Sequence, residues 1–183
     1  MTIGRSALPA AVADVGEPCQ ELVCQHARMD TTGSAAEMSS RLTSVAPDIV
    51  AALTHQSTPT LQIVARTAAD WIVDRTGLRD PRADAGLAAL RQRNFGPSTE
   101  RSELGVLVEQ LDERAWEIQD RQTPGTAADA DYLTAFGLAR AASAIWYALD
   151  GSALQAAMES VYEAQAASGE LETLRVLVYT VLP

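Results

Sequence analysis

Both cysteines of the chain, Cys19 and Cys24, fall together with His26 in the stretch CQELVCQH at residues 19–26. Thiolate and imidazole ligands at close spacing are the chemistry of a zinc centre. On a helix, however, Cys24 points about 140° away from Cys19, at 100° per residue. Cys19 and His26 share a face but stand about 10.5 Å apart along the axis, which exceeds the reach to one ion. The pattern therefore predicts a small buried cysteine and a partly buried histidine on an apolar helix stripe.

A different conformation of the same stretch leaves one alternative. If these residues are not helical, His55 could complete a Cys₂His₂ set with Cys19, Cys24 and His26. The resulting spacing, C-x4-C-x-H-x28-H, does not match the spacings that are typical of zinc sites. We therefore predict neither a metal nor a cofactor.

Carboxylates are the other residues whose spacing could support chemistry. Asp70 and Asp74 are four residues apart, which places both on one face of a helix, where they could hold Mg²⁺. Arg66 can pair with Asp70, and this weakens a metal role. The chain contains no nucleophile elbow, phosphate-binding glycine loop or H-E-x-x-H sequence. The sequence therefore favours a protein that is not an enzyme, with a carboxylate-metal enzyme using Asp70 and Asp74 as an alternative.

A long amphipathic helix is predicted at residues 99–120. Its apolar residues recur at the three- and four-residue spacing of a core-facing stripe. They are Leu104, Leu107, Val108, Leu111, Ala115 and Ile118. The opposite side carries a row of acids bracketed by Val106 and Trp116. This outward set is Val106, Glu109, Glu113, Trp116, Glu117 and Asp120.

The outward set supplies the leading functional hypothesis. A charged row opposite a core stripe is ordinarily solvated surface, and another helix of the chain could cover Trp116. An exposed tryptophan beside acids is instead typical of an interface. We therefore expect a non-enzymatic helical module that presents an acidic face to a basic protein partner. Immunity proteins, inhibitors and regulatory subunits are of this type, by analogy of size, charge and fold.

A second helix, predicted at 131–149, is apolar all round and carries Arg140 as its only interior charge. A helix without a polar face belongs in the middle of a fold. A buried arginine must be paired, because leaving it unpaired costs several kcal/mol. Asp74 or Glu163 is the expected partner.

The alternative role of Arg140 is to bind a ligand. A guanidinium group suits a carboxylate or phosphate, and Trp146 and Tyr147 would line an apolar pocket beside it. The sequence therefore also allows a small-molecule anion-binding protein with its pocket near Arg140.

The helix-start and helix-stop residues define the architecture. Capping residues or proline precede the amphipathic stretches, and glycine follows several of them. Thr58, and Ser152 with Gln155 three residues later, are expected to be caps. Predicted boundaries include 47–55, 58–76, 82–93, 99–120, 129–149 and 170–181. Because no alternating strand pattern is present, we predict an all-α protein of about eight helices, either an antiparallel bundle or a short helical-repeat stack.

The second half of the chain echoes an earlier part. ARTAADWIVDRTG at 65–77 aligns with ARAASAIWYALDG at 139–151. This predicts a duplicated three-helix unit at 58–120 and 127–183, and chance resemblance between alanine-rich helices is the alternative.

Length and charge set the organisation and the class of partner. With 183 residues, we expect a loosely ordered tail with one short helix at 1–34 and a single all-α domain at 35–183. The net charge of −10 argues against direct nucleic-acid binding. No run approaches the roughly 20 apolar residues that span a membrane. We therefore expect a cytoplasmic protein with a basic protein partner, and a homodimer is compatible with the sequence.

Overall fold

The computed structural model describes residues 41–121 and 128–183, and within these ranges the chain forms eight α-helices and no strand. The helices are α1 (Leu42–Val45), α2 (Pro47–Thr54), α3 (Thr58–Thr76), α4 (Pro81–Arg91), α5 (Thr99–Asp120), α6 (Ala128–Ala148), α7 (Ala153–Ser168) and α8 (Leu171–Val181). The predicted all-α class is therefore confirmed. The predicted tail at 1–34, with the Cys19, Cys24 and His26 stretch, lies outside the described residues.

Side-chain caps explain where α3, α4 and α5 begin. The Asp80 carboxylate accepts a hydrogen bond from the Arg82 backbone N–H at 2.8 Å, and Ser98 Oγ accepts one from the Arg101 N–H at 3.1 Å. These bonds satisfy backbone donors that have no partner within the helix. The predicted cap at Thr58 is wrong by one residue, because Ser57 Oγ is the atom that accepts from a backbone N–H of the first turn.

The predicted capping box at Ser152 and Gln155 is wrong. Ser152 precedes α7, but its side chain makes no capping hydrogen bond. The Asp150 carboxylate instead accepts from the Ser152 backbone N–H at 2.8 Å and shapes the turn between α6 and α7. The expectation that glycine follows several helices is confirmed, because Gly77 and Gly169 end α3 and α7 with φ of 69° and 70°, a conformation that favours glycine.

Helices α3, α6 and α7 pack against one another at the centre of the described fold. Their contacting faces are largely alanine, including Ala65, Ala68, Ala69, Ala141, Ala144, Ala148, Ala157 and Ala164, all buried. Ser160 of α7 donates to the Ala144 carbonyl of α6 at 3.0 Å, while Arg140 of α6 bonds Glu163 of α7. Residue numbers thus rise along one helix as they fall along the other, so this pair is antiparallel as predicted.

Helix α5 also lies antiparallel to α6, on its other side. Near the start of α5, Arg101 bonds Asp150 just after the end of α6, with 2.7 Å between nitrogen and oxygen. Near the end of α5, Trp116 shares one surface depression with Tyr132 and Phe136 from the first turns of α6. Helix α4 packs against α5 and α6, while α8 packs against α3 and α7.

The apolar helix α6 lies in the middle of the described fold, as predicted, except for its first turns. Residues 141–149 are buried apart from Trp146 and Tyr147, but Leu133 is 62% exposed. Gly137 lies beside the Ala167 carbonyl, and α7 ends at the next residue, so α6 extends beyond α7. In the described part of the chain, no helix combines the length and hydropathy needed to cross a membrane.

The two predicted repeat units, 58–120 and 127–183, share one core. Helix α3, from the first, packs mainly against α6 and α7, from the second. The third helices also differ in length, with 22 residues in α5 and 11 in α8. The duplication therefore stays a prediction about the history of the sequence, while the packing is that of a single bundle.

The closeness of α4 to its neighbours predicts the effect of one substitution. A Cβ atom added at Gly86 would overlap the buried side chain of Leu104 and approach Ile145 Cγ2 to 2.9 Å. Gly86→Ala should therefore lower the free energy of unfolding by about 1–3 kcal/mol, measured by chemical denaturation. Gly137→Ala is the matched control, because its Cβ would meet nothing closer than 3.6 Å. The control should gain up to about 1 kcal/mol from helix propensity, and an equal gain at Gly86 would contradict the close packing.

Candidate functional site

The rotation of α5 decides which of its residues face outward. Leu104, Leu107 and Ala115 of the predicted stripe are buried, and Val108, Leu111 and Ile118 are partly buried. The stripe therefore packs inward as its spacing predicts, and the opposite side of α5 faces solvent.

All six residues of the predicted outward set are exposed: Val106, Glu109, Glu113, Trp116, Glu117 and Asp120. We call this set the acidic face. Trp116 is 60% exposed and Val106 is 49% exposed, so no helix of the described chain covers them. At 100° per residue the six side chains span an arc of about 100° around α5. They form one continuous surface with an apolar residue near each end.

The charge of the acidic face is little compensated by the described chain. Glu117 bonds Arg121 at 2.7 Å, but both side chains are largely exposed and such pairs contribute under about 1 kcal/mol. Among the described residues, Glu109, Glu113 and Asp120 have no ion-pair partner within 4.0 Å. Over its whole length α5 carries seven carboxylates and two arginines. The surface is therefore strongly electronegative.

Two depressions between α5 and α6 border the acidic face, and they adjoin because both are lined by Asp112 and Arg140. The first has a volume of about 190 Å³ and is also lined by Ala115, Trp116, Tyr132 and Phe136. The second has a volume of about 290 Å³, and its lining includes Arg41, Glu109, Trp146, Tyr147 and Glu163. Acids and aromatic rings therefore meet along this edge of α5.

A network of ion pairs forms the floor of these depressions. Arg140 donates through Nη2 to Asp112 of α5, and through Nη1 to Glu163 of α7 at 3.1 Å. The Glu163 carboxylate, 1% exposed, also accepts from Arg41 at 2.6 Å. Arg41 bonds Glu159 at the same distance. The predicted partner Glu163 is thus confirmed. The other predicted partner, Asp74, is wrong, because it lies exposed on α3.

The electrostatics of the network follow from its burial. Burial raises the pKa of Glu163 above its usual range, although the charges of Arg140 and Arg41 each lower it in part. Burial alone would lower the pKa of Arg140, but the bonds and charges of Asp112 and Glu163 outweigh it and raise this pKa. One donor of Arg140, Nε, is buried without a hydrogen-bond partner among the described residues. Its two Nη atoms donate to Glu163 and Asp112, so the guanidinium group is held mainly by protein carboxylates.

The residues of the predicted anion pocket do come together, since Arg140, Trp146 and Tyr147 all line the larger depression. The guanidinium of Arg41 lies 5.6 Å from the centre of the Tyr147 ring, and that of Arg101 lies 4.4 Å from the Trp146 ring. The charged side chains of the lining are three acids and two arginines. This depression therefore has no excess of positive charge to attract an anion.

Only one carboxylate of the predicted metal-binding pair on α3 lacks an ion-pair partner among the described residues. Asp70 bonds Arg91 of α4 at 2.9 Å instead of the predicted Arg66, and Asp74 is exposed. Across residues 41–121 and 128–183, no group of three or more histidine, cysteine, aspartate or glutamate side chains is arranged to hold a metal ion.

A further depression, about 710 Å³ in volume, lies on the opposite side of the α5–α6 contact. It is lined by Leu111, Arg114, Ile118, Arg121, Asp131, Thr134, Ala135 and Leu138. It shares no residue with the acidic face, and its charged lining of two arginines and one aspartate has the opposite sign. The sequence did not predict it, because its two walls come from α5 and α6, and no pattern in the sequence indicates how these helices pack.

Comparison with known proteins gives no assignment: no family model matches the chain, and neither a curated protein nor a solved structure is significantly similar to it.

The ion network predicts a large effect of removing Arg140. Arg140→Ala leaves the buried Glu163 with Arg41 as its remaining arginine, so the free energy of unfolding should fall by about 3 kcal/mol. Arg91→Ala, which breaks the exposed pair with Asp70, should cost less than about 1 kcal/mol and serves as the control. Adding Glu163→Gln to the Arg140→Ala variant should recover part of the loss. An Arg140→Ala protein as stable as the wild type would instead indicate that this arginine is reserved for a ligand.

Proposed function

We propose that the protein is a non-enzymatic helical binding module that presents the acidic face of α5 to a basic protein partner. The observation that carries the proposal is the exposure of Trp116, which is 60% accessible between the exposed Glu113 and Glu117. Tryptophan is one of the residue types enriched at the energetic centres of interfaces. Because the residues around it are carboxylates, the partner surface that contacts them should be positively charged.

The magnitude of the apolar contribution supports an interface. A tryptophan that becomes fully buried covers about 150–250 Å². Since Trp116 still exposes 60% of its surface, covering the rest would stabilise a complex by about 2–4 kcal/mol at 25 cal/mol/Å². That is the range of a binding hot spot. The carboxylates would chiefly accelerate association with a positively charged partner and disfavour acidic ones.

The same charges make other uses of this face less favourable. A nucleic acid, or a second acidic face in a homodimer, would bring like charges together, which costs free energy. The anion-binding alternative has less support, because Arg140 is engaged by Asp112 and Glu163. Immunity proteins, inhibitors and regulatory subunits remain the closest classes by analogy of size, charge and fold.

Replacing the tryptophan tests the proposal directly. Trp116→Ala should weaken binding to a partner isolated from the producing cells by about 2 kcal/mol or more, measured by calorimetry. Its melting temperature should hardly change, because the side chain is mostly exposed. Tyr179→Ala is the matched control, since Tyr179 is a 47% exposed aromatic residue on α8. If Trp116→Ala instead costs about 3–5 kcal/mol of stability, the indole is a packing residue and the proposal fails.

Reversing charge on the acidic face should act mainly on the association rate. The double variant Glu113→Arg with Glu117→Arg should slow association with the same partner, and the effect should shrink as salt rises. Stopped-flow kinetics at two salt concentrations measure this. Asp74→Arg with Asp84→Arg changes the net charge equally on exposed positions of α3 and α4. Equal slowing by both double variants would show that net charge, and not the acidic face, attracts the partner.

A further inference from the structure

The exposed residues of the acidic face follow a regular spacing along α5. Val106, Glu109, Glu113, Trp116 and Asp120 are separated by three, four, three and four residues, and all are exposed. This is the spacing with which one helix presents a straight seam to another. From Val106 to Asp120 the seam is about 21 Å long at 1.5 Å per residue. It is long enough to contact about four turns of a second helix.

The chemistry of the seam also disfavours an extended peptide. An extended segment adds most effectively to the edge of a sheet, where its backbone groups find partners. Residues 99–120 form one continuous helix, so the backbone groups along the middle of the seam are already bonded within it. Each backbone group of an extended segment that became buried there without a partner would cost about 1–3 kcal/mol. A helical segment avoids this cost because it bonds its own backbone.

The depression beside Trp116 fits one side chain of such a helix. Its volume, about 190 Å³, is below the roughly 300 Å³ at which small-molecule pockets begin. Ala115, Trp116, Tyr132 and Phe136 make its walls apolar, while Asp112 and Arg140 neutralise each other. A single apolar side chain is therefore the occupant that this depression suits.

We propose that the segment of the partner that binds is a basic amphipathic helix lying along α5. Its arginines or lysines face Glu109, Glu113 and Asp120, and one apolar side chain enters the depression beside Trp116. The proposal rests on the function proposed above and specifies the structure that the partner must present.

Photo-crosslinking in the full chain tests the proposal. Benzoylphenylalanine is placed at position 106, 113 or 120, one at a time, and each protein is irradiated in an extract of the producing cells. Mass spectrometry then identifies the partner residue joined to each position. Seven residues of α5 rise about 10.5 Å, so a partner helix should be labelled at sites about seven residues apart. An extended segment, at about 3.3 Å per residue, would be labelled about three residues apart.

The outcomes separate the two proposals. Labels on one protein, about seven residues apart and within a basic segment, support the helix, provided that the same probe at position 84 on α4 does not label that protein. Labels about three residues apart, or scattered over several segments, overturn the helix and leave the acidic face as the binding surface. If none of the three positions labels a protein in preference to position 84, the proposed function itself is overturned.

Discussion

The guanidinium group of Arg140 joins three helices, and the orientation of α5 depends on it. Arg140 belongs to α6, and it bonds Asp112 of α5 and the buried Glu163 of α7. Buried ion pairs contribute little net stability compared with apolar packing, but removing one partner is costly. A rotation of α5 about its axis would withdraw Asp112 from the arginine and also move Leu104 and Leu107 out of the core. The polar bond and the apolar stripe therefore hold α5 in the same rotation, and the outward position of Trp116 follows from both.

Local periodicity was sufficient to predict the long helices and the outward face of α5. The six residues of the acidic face recur with the 3.6-residue period of a helix. Their spacing in the sequence is therefore enough to place them opposite the stripe. Gly77, Asp80 and Ser98 mark helix ends through interactions with residues close in sequence. Such features could be predicted because the atoms that interact are at most a few residues apart.

The interactions between helices could not be predicted in the same way. Arg140 meets Asp112, 28 residues earlier, and Glu163 meets Arg41, 122 residues earlier, and neither separation leaves a periodic pattern. Asp112 also lies between the acidic face and the stripe on the helical wheel, so periodicity assigned it to neither. The exposure of Leu133 depends on where α7 ends relative to α6, which is a property of the packing. These features require the arrangement of the helices in space.

The composition of the core bears on the meaning of the exposed tryptophan. Alanine faces bring α3, α6 and α7 close together and leave little room between them for large rings, so aromatic residues are displaced toward the periphery. Trp71 is nevertheless half-buried against the core, and Trp146 is half-buried beneath Arg101. Trp116 is the tryptophan that remains mostly exposed, even though the depression beside it has aromatic walls. An alanine-rich core explains why a tryptophan lies at the surface, but it does not explain why this one lies uncovered among carboxylates. A basic surface that covers it in a complex, as proposed above, would explain that position.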